Sequence, residues 1–265
     1  MLTPRTTPAA RVTPIENGWR LEIPAGAAGS YRLAQLDDYF ALPRGRFPFV
    51  APASLSLRCR ISESLLPGTW GFGFWNDPFM FSLGLQGAAR RLPVLPNAAW
   101  FFHASPESQL SLRNQLPGNG FLAQSFSSPK IPALLMAPGL LAAPLLLSKT
   151  FARWIRAVLR KIIDEGSARL GLDVTQWHTY SLDWNPTRVE FSIDGAAAFE
   201  TSVSPKGPLG LVIWIDNQFA AFTPGGKINA GTEQNPVPAW MEIETVNARM
   251  PAGKSAAARR SANQA

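Results

Sequence analysis

The stretch Gln176–Gly195, QWHTYSLDWNPTRVEFSIDG, decides the fold. Apolar and polar residues alternate in two short runs, Tyr180–Trp184 and Val189–Ile193. Such period-two alternation is typical of β-strands with one buried face. Asn185-Pro186 between the runs predicts a turn, and Asp194-Gly195 predicts a tight hairpin turn, because that turn requires positive φ angles. The stretch therefore predicts antiparallel strands joined by short turns.

The same alternation recurs along most of the chain. Apolar residues occupy every second position in Trp19–Ile23 and Leu55–Ile61, whereas Leu209–Ile215 is apolar throughout. Trp240–Val246 is the last predicted strand. A fully apolar run suits a strand that is covered on both faces. The chain has no internal repeat, and its 24 prolines and 21 glycines supply many turns. Short strands separated by turns predict an all-β sandwich or barrel.

Length and composition indicate one large domain with two disordered ends. The chain has 265 residues, of which 46% are hydrophobic, and all-β domains often reach this size. Residues 1–14 predict a disordered lead, residues 15–249 the domain, and residues 250–265 a disordered basic tail. Cys59 lies in an alternating run and is expected to be a buried thiol. No secretory signal opens the chain, which predicts a cytoplasmic protein, at most peripheral to a membrane.

The positive charge is concentrated in three segments. The net charge is +7, with +2 from residues 1–14, +3 from residues 250–265, +4 from residues 148–164 and −2 from the rest. A basic groove on the body is therefore not expected, and no specific nucleic-acid partner is predicted.

Residues 131–166 interrupt the strand pattern. The apolar run 131–147 contains three prolines, which argue against a straight membrane-spanning helix. After it, apolar residues recur every three or four positions and Gly166 is a stop signal, so an amphipathic helix is expected. A basic amphipathic helix suits a lid or an anionic membrane surface; the alternative is a helix packed on the sandwich. The residues assigned to the lid or membrane contact are Phe151, Arg153, Trp154, Arg156, Arg160 and Lys161.

The stretch Gln176–Gly195 resembles a hairpin of family-sixteen glycoside hydrolases and their concanavalin-A-like relatives. The shared features are the Trp-His-Thr-Tyr opening, the aromatic-ended strand, the proline turn and the closing Asp-Gly. LPGTWGFGFWNDPF at 66–79 is similar to the Trp-rich strand at their cleft, and PAWMEIETVNAR at 238–249 to their last strand. The resemblance covers Leu55–Arg249, with 121–172 as an insert, and implies an antiparallel two-sheet jelly-roll sandwich.

The resemblance also implies a catalytic Glu-x-Asp-x-x-Glu strand, in which two carboxyls of a retaining hydrolase lie ~5 Å apart. The corresponding strand, Asn97–Ser105, has no carboxylate, and the motif occurs nowhere in the chain. Two neighbouring registers place different residues at the three positions: Ala98, Trp100 and His103, or Asn97, Ala99 and Phe102. Ordinary retaining glycosidase activity is therefore not expected, because these side chains cannot attack an anomeric carbon.

The candidates for a site are aromatic residues in segments that the resemblance places at the cleft, and polar residues beside those segments or at the end of the apolar strand Leu209–Ile215. His103 and Asp77 are the candidate catalytic acids or bases; the alternative for each is a structural role at a strand end or turn. The predicted ligand-binding residues are Trp70, Trp75, Asn76, Asp77, Trp100, His103, Trp214, Asp216 and Asn217. Two histidines and one cysteine offer no metal-ligand spacing, so neither a metal nor a cofactor is predicted.

Three functions follow from these residues. The first is a binding module whose aromatic cleft holds a carbohydrate or a more apolar small molecule. The second is an enzyme of altered chemistry acting on a hydrophobic or lipid-like substrate. The third is a glycosidase with displaced acids, drawn from Asp77, Glu107, Asp216 and Glu233. The shape of the cleft discriminates among them, because an open groove suits a polymer and a closed cavity suits a small molecule.

Overall fold

Two antiparallel sheets of seven strands pack face to face. The computed structural model describes residues 1–78, 91–131, 145 and 148–251. In spatial order, the first sheet contains β1 (Thr3–Thr6), β4 (Leu33–Asp37), β13 (Gly210–Asp216), β6 (Thr69–Trp75), β7 (Ala98–Ala104), β8 (Gly120–Ser127) and β9 (Asp164–Arg169). The second contains β12 (Ala196–Thr201), β11 (Val189–Ile193), β10 (His178–Trp184), β5 (Ala53–Ile61), β16 (Ala239–Arg249), β3 (Gly18–Ile23) and β2 (Arg11–Ile15). The hairpin β14 (Gln218–Phe222) and β15 (Ile228–Thr232) stands apart, and the helix α1 spans Lys149–Ile162.

The predicted jelly-roll sandwich with a helical insert is confirmed. The hairpin that decides the fold pairs β10 with β11, and the turn after β11 has φ angles of 51° at Asp194 and 80° at Gly195. Asp194 also fixes the turn, because its carboxylate accepts a hydrogen bond from the backbone N–H of Thr179 and lies 2.7 Å from Nδ1 of His178. His178 is thus structural.

The main core lies between the two sheets. Tyr180 of the second sheet packs edge-on against Phe72 and Phe101 of the first, with ring centroids 5.2 and 5.1 Å apart. Cys59 lies in this core, 1% exposed, and burial raises the pKa of its thiol well above the ordinary value. The predicted buried thiol is therefore confirmed.

A second apolar cluster covers the opposite side of the first sheet, which we call the outer face. All seven residues of β7 and all seven of β13 are buried, as expected for strands covered on both sides. Leu159 and Ile162 of α1 pack against this cluster. The outer face is where a cavity forms.

Several predicted boundaries are wrong. Residues 1–14 are not a disordered lead, since they form β1 and most of β2. Their prolines are compatible with strands because both strands lie at sheet edges, where a missing N–H is tolerated. Gly166 lies within β9 rather than ending the helix, because the chain leaves α1 at Ile163 and pairs with β8. The insert is therefore shorter than 121–172.

The remaining predictions on boundaries fall partly outside the described residues. The apolar run 131–147 lies outside them except at residues 131 and 145, and the tail 250–265 lies outside them from residue 252.

Candidate functional site

A cavity of about 180 Å³ lies on the outer face of the first sheet. Strands β1, β4, β13, β6 and β7 form its floor, and β14 forms one wall. Eight of its seventeen lining residues are aromatic. The lining residues are Arg5, Tyr31, Leu33, Gln35, Tyr39, Phe40, Thr69, Trp75, Asp77, Trp100, Phe102, Leu110, Trp214, Asp216, Gln218, Phe219 and Ala220.

Four packed rings, which we call the aromatic floor, form the centre of the cavity: Trp75, Trp100, Phe102 and Trp214. Trp214 stacks on Trp75 with centroids 6.1 Å apart and planes 8° apart, and its ring lies 5.6 Å from that of Trp100. Trp100 stacks on Phe102 at 5.2 Å. Alternation along β6, β7 and β13 places these rings on the same face.

Gly71 makes room for this arrangement. It lies opposite Trp214 in the register of β6 and β13. A Cβ atom at Gly71 would lie 2.9 Å from Cη2 of Trp214 and 2.5 Å from the carbonyl oxygen of Phe101. Any larger residue would therefore displace the Trp214 ring or the neighbouring strand.

Asp216 is buried at one end of the cavity and orients Trp214 through Thr69. Its Oδ1 accepts hydrogen bonds from Thr69 Oγ1 at 2.8 Å, Thr69 N at 3.3 Å and Gln218 N at 3.1 Å, and its Oδ2 accepts one from the Tyr31 hydroxyl at 3.2 Å. Thr69 Oγ1 in turn accepts from Trp214 Nε1 at 2.9 Å. Burial raises the pKa of Asp216 to about 6, so this carboxyl titrates close to neutral pH.

Asp77 lies at the other end of the cavity in an ion pair. Its Oδ2 is 2.6 Å from Nη1 of Arg91, and its φ angle is 50°. Burial raises the pKa of Asp77 although Arg91 opposes this effect. Arg44 donates to the backbone carbonyls of Asn76 and Asp77 and holds the same turn.

The two carboxylates of the cavity are too far apart to act as a hydrolytic pair. Asp216 lies opposite Thr69 at the start of β6, and Asp77 follows Trp75 at its end. Six residues of strand span about 20 Å. Inverting and retaining glycosidases need carboxyls within ~5 to 10 Å of each other.

The strand expected to carry the catalytic motif presents no acid to the cavity. β7 pairs in unbroken register with β6 and β8, so residues five positions apart point to opposite faces. Trp100 and Phe102 face the cavity, whereas Phe101 lies in the core between the sheets. Neither of the two proposed registers therefore brings its three residues to one face.

His103 and Trp70 lie in the interior and do not line the cavity, so their prediction as ligand-binding residues is wrong. Both belong to the inner face of their strands; their rings stack 5.5 Å apart, and they are 3% and 1% exposed. Burial lowers the pKa of His103 to about 4, and its Nδ1 has no hydrogen-bond partner among the described residues. His103 is therefore a neutral core residue.

Asn76 and Asn217 hold loops and do not line the cavity either. Asn76 donates to the carbonyl of Leu95 and accepts from the backbone of Asn97. Asn217 is fully buried; its amide donates to two backbone carbonyls and accepts from the backbone of Arg32. Short polar side chains at strand ends commonly satisfy the backbone in this way.

Glu107 and Glu233 lie in a separate depression. Ser105 donates a hydrogen bond to Glu233, and burial raises the pKa of that carboxyl. Glu107 is exposed. Within the described part of the chain, no three His, Cys, Asp or Glu residues are grouped as metal ligands.

Helix α1 braces the cavity wall. Arg156, expected to face a membrane, is 4% exposed, and its guanidinium donates to the carbonyls of Ser111 and Phe222 and to Asn114 Oδ1. Phe222 ends β14, whose residues Phe219 and Ala220 line the cavity. The lid or membrane role of the other helix residues remains a prediction. No helix among the described residues is long and apolar enough to cross a bilayer.

The structure thus brings together Trp75, Asp77, Trp100, Trp214 and Asp216 of the predicted ligand-binding set. The sequence prediction missed several polar cavity residues, including Arg5, Tyr31, Gln35 and Gln218. Only one of these four had a readable signal, since Gln35 interrupts the apolar pattern of Leu33–Leu36. Arg5 fell in a segment predicted to be disordered.

No family model matches the chain, and no curated protein matches it. Among solved structures, it is similar to the Bacillus licheniformis β-glucanase, at 11% identity and a TM-score of 0.43, covering 90% of this chain and 82% of that one. It is also similar to a glycoside hydrolase family 16 endo-glucanase from Bacteroides ovatus, at 9% identity, a TM-score of 0.46 and 94% coverage of both chains. It is similar as well to LamAcat from Zobellia galactanivorans, at 13% identity and a TM-score of 0.46, covering 90% of this chain and 80% of that one. Of these three structures, one is described as a glycoside hydrolase of family 16, the family that the hairpin resembles; identities and TM-scores at this level assign no activity.

Proposed function

We propose that the cavity binds a single saccharide unit, or the end of a saccharide chain, without hydrolysing it. The observation that carries the proposal is an aromatic floor beneath a rim of hydrogen-bonding groups from Arg5, Tyr31, Gln35 and Asp216. Aromatic faces pack against the C–H faces of sugar rings. Carboxylate, amide and guanidinium groups bind hydroxyl groups.

The size of the cavity supports a small ligand over a polymer. Its volume of about 180 Å³ is below the roughly 300–1,000 Å³ of pockets for drug-sized ligands. Trp100 and Trp214 are 4% and 7% exposed, so they do not offer the open platforms on which a long chain would lie.

The acids in the cavity favour binding over glycoside hydrolysis. Asp77 is committed to Arg91, and Asp216 accepts hydrogen bonds from Thr69, Gln218 and Tyr31. Within the described part of the chain, neither has a carboxyl partner across the aromatic floor, and retaining or inverting hydrolysis requires one.

Ligand-observed NMR tests this proposal with methyl β-D-glucopyranoside and methyl β-D-galactopyranoside as probes. We expect saturation transfer from the wild type and from Trp177→Ala, a control on the second sheet where Trp177 contacts Arg58 and Arg60. Trp214→Ala should weaken binding at least about tenfold, because a buried aromatic contact contributes on the order of 1–3 kcal/mol. Absence of transfer to any saccharide would contradict the proposal.

A second candidate is an enzyme acting on an apolar small molecule. The observation that favours it is Asp216, whose pKa of about 6 suits a general acid or base near neutral pH. Native mass spectrometry of the purified protein distinguishes the two functions, because a co-purifying apolar compound would favour this one and a saccharide the first.

A further inference from the structure

We infer that the saccharide unit bound in the cavity carries an acidic group, a carboxylate or a sulfate, and that the guanidinium of Arg5 binds this group. The inference rests on the proposed function and specifies its ligand class. The cationic side chain of Arg5 lines the cavity, and the groups around it leave its N–H donors available to a ligand.

Arg5 lies in the same cross-strand row as the aromatic floor. Arg5 of β1 pairs with Gln35 of β4, Gln35 pairs with Trp214 of β13, and all three line the cavity. Adjacent strands lie about 4.8 Å apart, so about 10 Å separates the backbones of Arg5 and Trp214. A long arginine side chain can therefore reach a substituent on a ring packed against Trp214.

The guanidinium of Arg5 is held in place without hydrogen bonds. It lies over the ring of Phe40, with Cζ 3.3 Å from the ring centroid, and its side chain is 24% exposed. Stacking on an aromatic face orients the planar group. Among the described residues, no acceptor lies within hydrogen-bond distance of the Arg5 guanidinium; the Oδ2 atom of its ion-pair partner, Asp37, is 3.7 Å from Nη1.

The nearby carboxylates are committed to other groups. Asp37 Oδ1 accepts from the backbone N–H groups of Tyr39 and Phe40, and Oδ2 accepts from Gln35 Nε2 at 2.8 Å. Asp77 and Asp216 are engaged at the two ends of the cavity. The N–H donors of Arg5 thus remain for a ligand, and their planar fork matches a carboxylate in bidentate geometry.

Titration calorimetry tests the inference with methyl β-D-glucopyranoside, methyl β-D-glucuronide and glucose 6-sulfate. The proteins are the wild type, Arg5→Gln, Arg5→Lys and a control, Arg11→Gln, whose side chain is exposed on β2 and does not line the cavity. We expect the wild type to bind at least one acidic sugar about tenfold or more tightly than the neutral one, as a charge-assisted pair implies. Arg5→Gln should abolish this preference by weakening the binding of the acidic sugar about tenfold more than that of the neutral sugar, whereas Arg11→Gln should change nothing.

The outcomes separate the inference from the proposed function. Equal binding of neutral and acidic sugars by the wild type, or equal weakening of both by Arg5→Gln, overturns the inference alone. Binding of no saccharide overturns both. If Arg5→Gln has a lower melting temperature than the wild type, Arg5→Lys becomes the deciding variant, because lysine retains the positive charge but lacks the planar fork of N–H donors. A reduced preference of Arg5→Lys for acidic sugars supports the inference, and an unchanged preference overturns it.

Discussion

Two buried titratable side chains, Asp216 and His103, show how the surroundings of a residue set its role. His103 was predicted as a candidate catalytic residue on the strand expected at the cleft, and Asp216 as a ligand-binding residue at the end of an apolar strand. Asp216 lines the cavity and accepts hydrogen bonds on both oxygens. His103 packs on Trp70 between the sheets. We therefore predict a different effect for a substitution at each of the two residues.

Asp216→Asn should destabilise the fold and loosen the cavity. An amide offers one acceptor oxygen in place of two, so a donor among Thr69, Gln218 and Tyr31 loses its partner. This loss should lower the free energy of unfolding by about 1–3 kcal/mol. Urea denaturation measures the free energy of unfolding, and saturation transfer from the sugar probes should weaken because Trp214 depends on Thr69. Asp183→Asn, exposed on β10, is the control. Equal stability losses for both variants would show that the Asp216 network contributes nothing.

His103→Phe should make the protein less sensitive to acid. The pKa of His103 in the folded protein is lowered to about 4, whereas an unfolded histidine has a pKa of about 6.5. The unfolded state therefore takes up a proton between these values, and stability present above pH 6.5 is lost as the pH falls towards 4. We expect the free energy of unfolding of the wild type to fall by up to about 3 kcal/mol more than that of His103→Phe as the pH is lowered through this range. Denaturation curves at pH 7.5 and 4.5 that shift in parallel for both proteins would contradict this.

At the scale of elements, α1 is fixed by one buried cation. Arg156→Met should lower stability by about 1–3 kcal/mol, because the carbonyls of Ser111 and Phe222 lose a charged donor. The sugar affinity should fall as well, since β14 forms a cavity wall. Arg160→Met is the matched control: Arg160 lies on the same helix and is exposed. Similar unfolding curves for the two variants would argue against the brace.

The predicted membrane contact is limited to the exposed face of α1, which does not include the buried Arg156. Lys149, Arg153, Arg160 and Lys161 are exposed there beside Trp154, which is 57% exposed. Cations with an interfacial tryptophan suit an anionic bilayer, at about 1 kcal/mol per cation at low salt. We expect the wild type to float with phosphatidylserine-containing vesicles at low salt but not with phosphatidylcholine alone.

The charge-reversal variant Arg153→Glu/Arg160→Glu should float less than the wild type. The control Arg46→Glu/Lys206→Glu makes the same charge change at two exposed residues away from α1 and should float like the wild type. Equally poor flotation of all three proteins with anionic vesicles would mean that α1 only braces the cavity.

At the scale of the whole molecule, the protein should not hydrolyse β-glucans or agarose. The outer face of the first sheet is covered by the aromatic floor, helix α1 and the β14–β15 hairpin. The two acids that line the cavity, Asp216 and Asp77, lie at opposite ends of β6. We expect no release of reducing sugar from laminarin, lichenan or agarose. Release that is lost in Asp77→Asn or in Glu107→Gln would place a catalytic acid where none is expected.

The sequence alone determined the sheet architecture and part of the cavity. Alternation in Gln176–Gly195 and Leu55–Ile61 predicts strands correctly, because the two faces of a pleated strand impose a period of two on any sequence that buries one of them. The absence of carboxylates from Asn97–Ser105 also needs no structure. The resemblance to family-sixteen glycoside hydrolases, rather than alternation, implied Trp75, Trp100 and Trp214 as candidate cavity residues.

Only the tertiary structure decided which polar residues meet. Alternation fixes that His103 and Trp100 lie on opposite faces, but not which face of β7 is covered by the second sheet; that depends on how the sheets pack. Arg5 and Trp214 are 209 positions apart in the chain and lie in one row because β4 pairs with both β1 and β13. Strand pairing between distant segments is set by the global minimum of burial and hydrogen bonding, which a local sequence pattern does not contain.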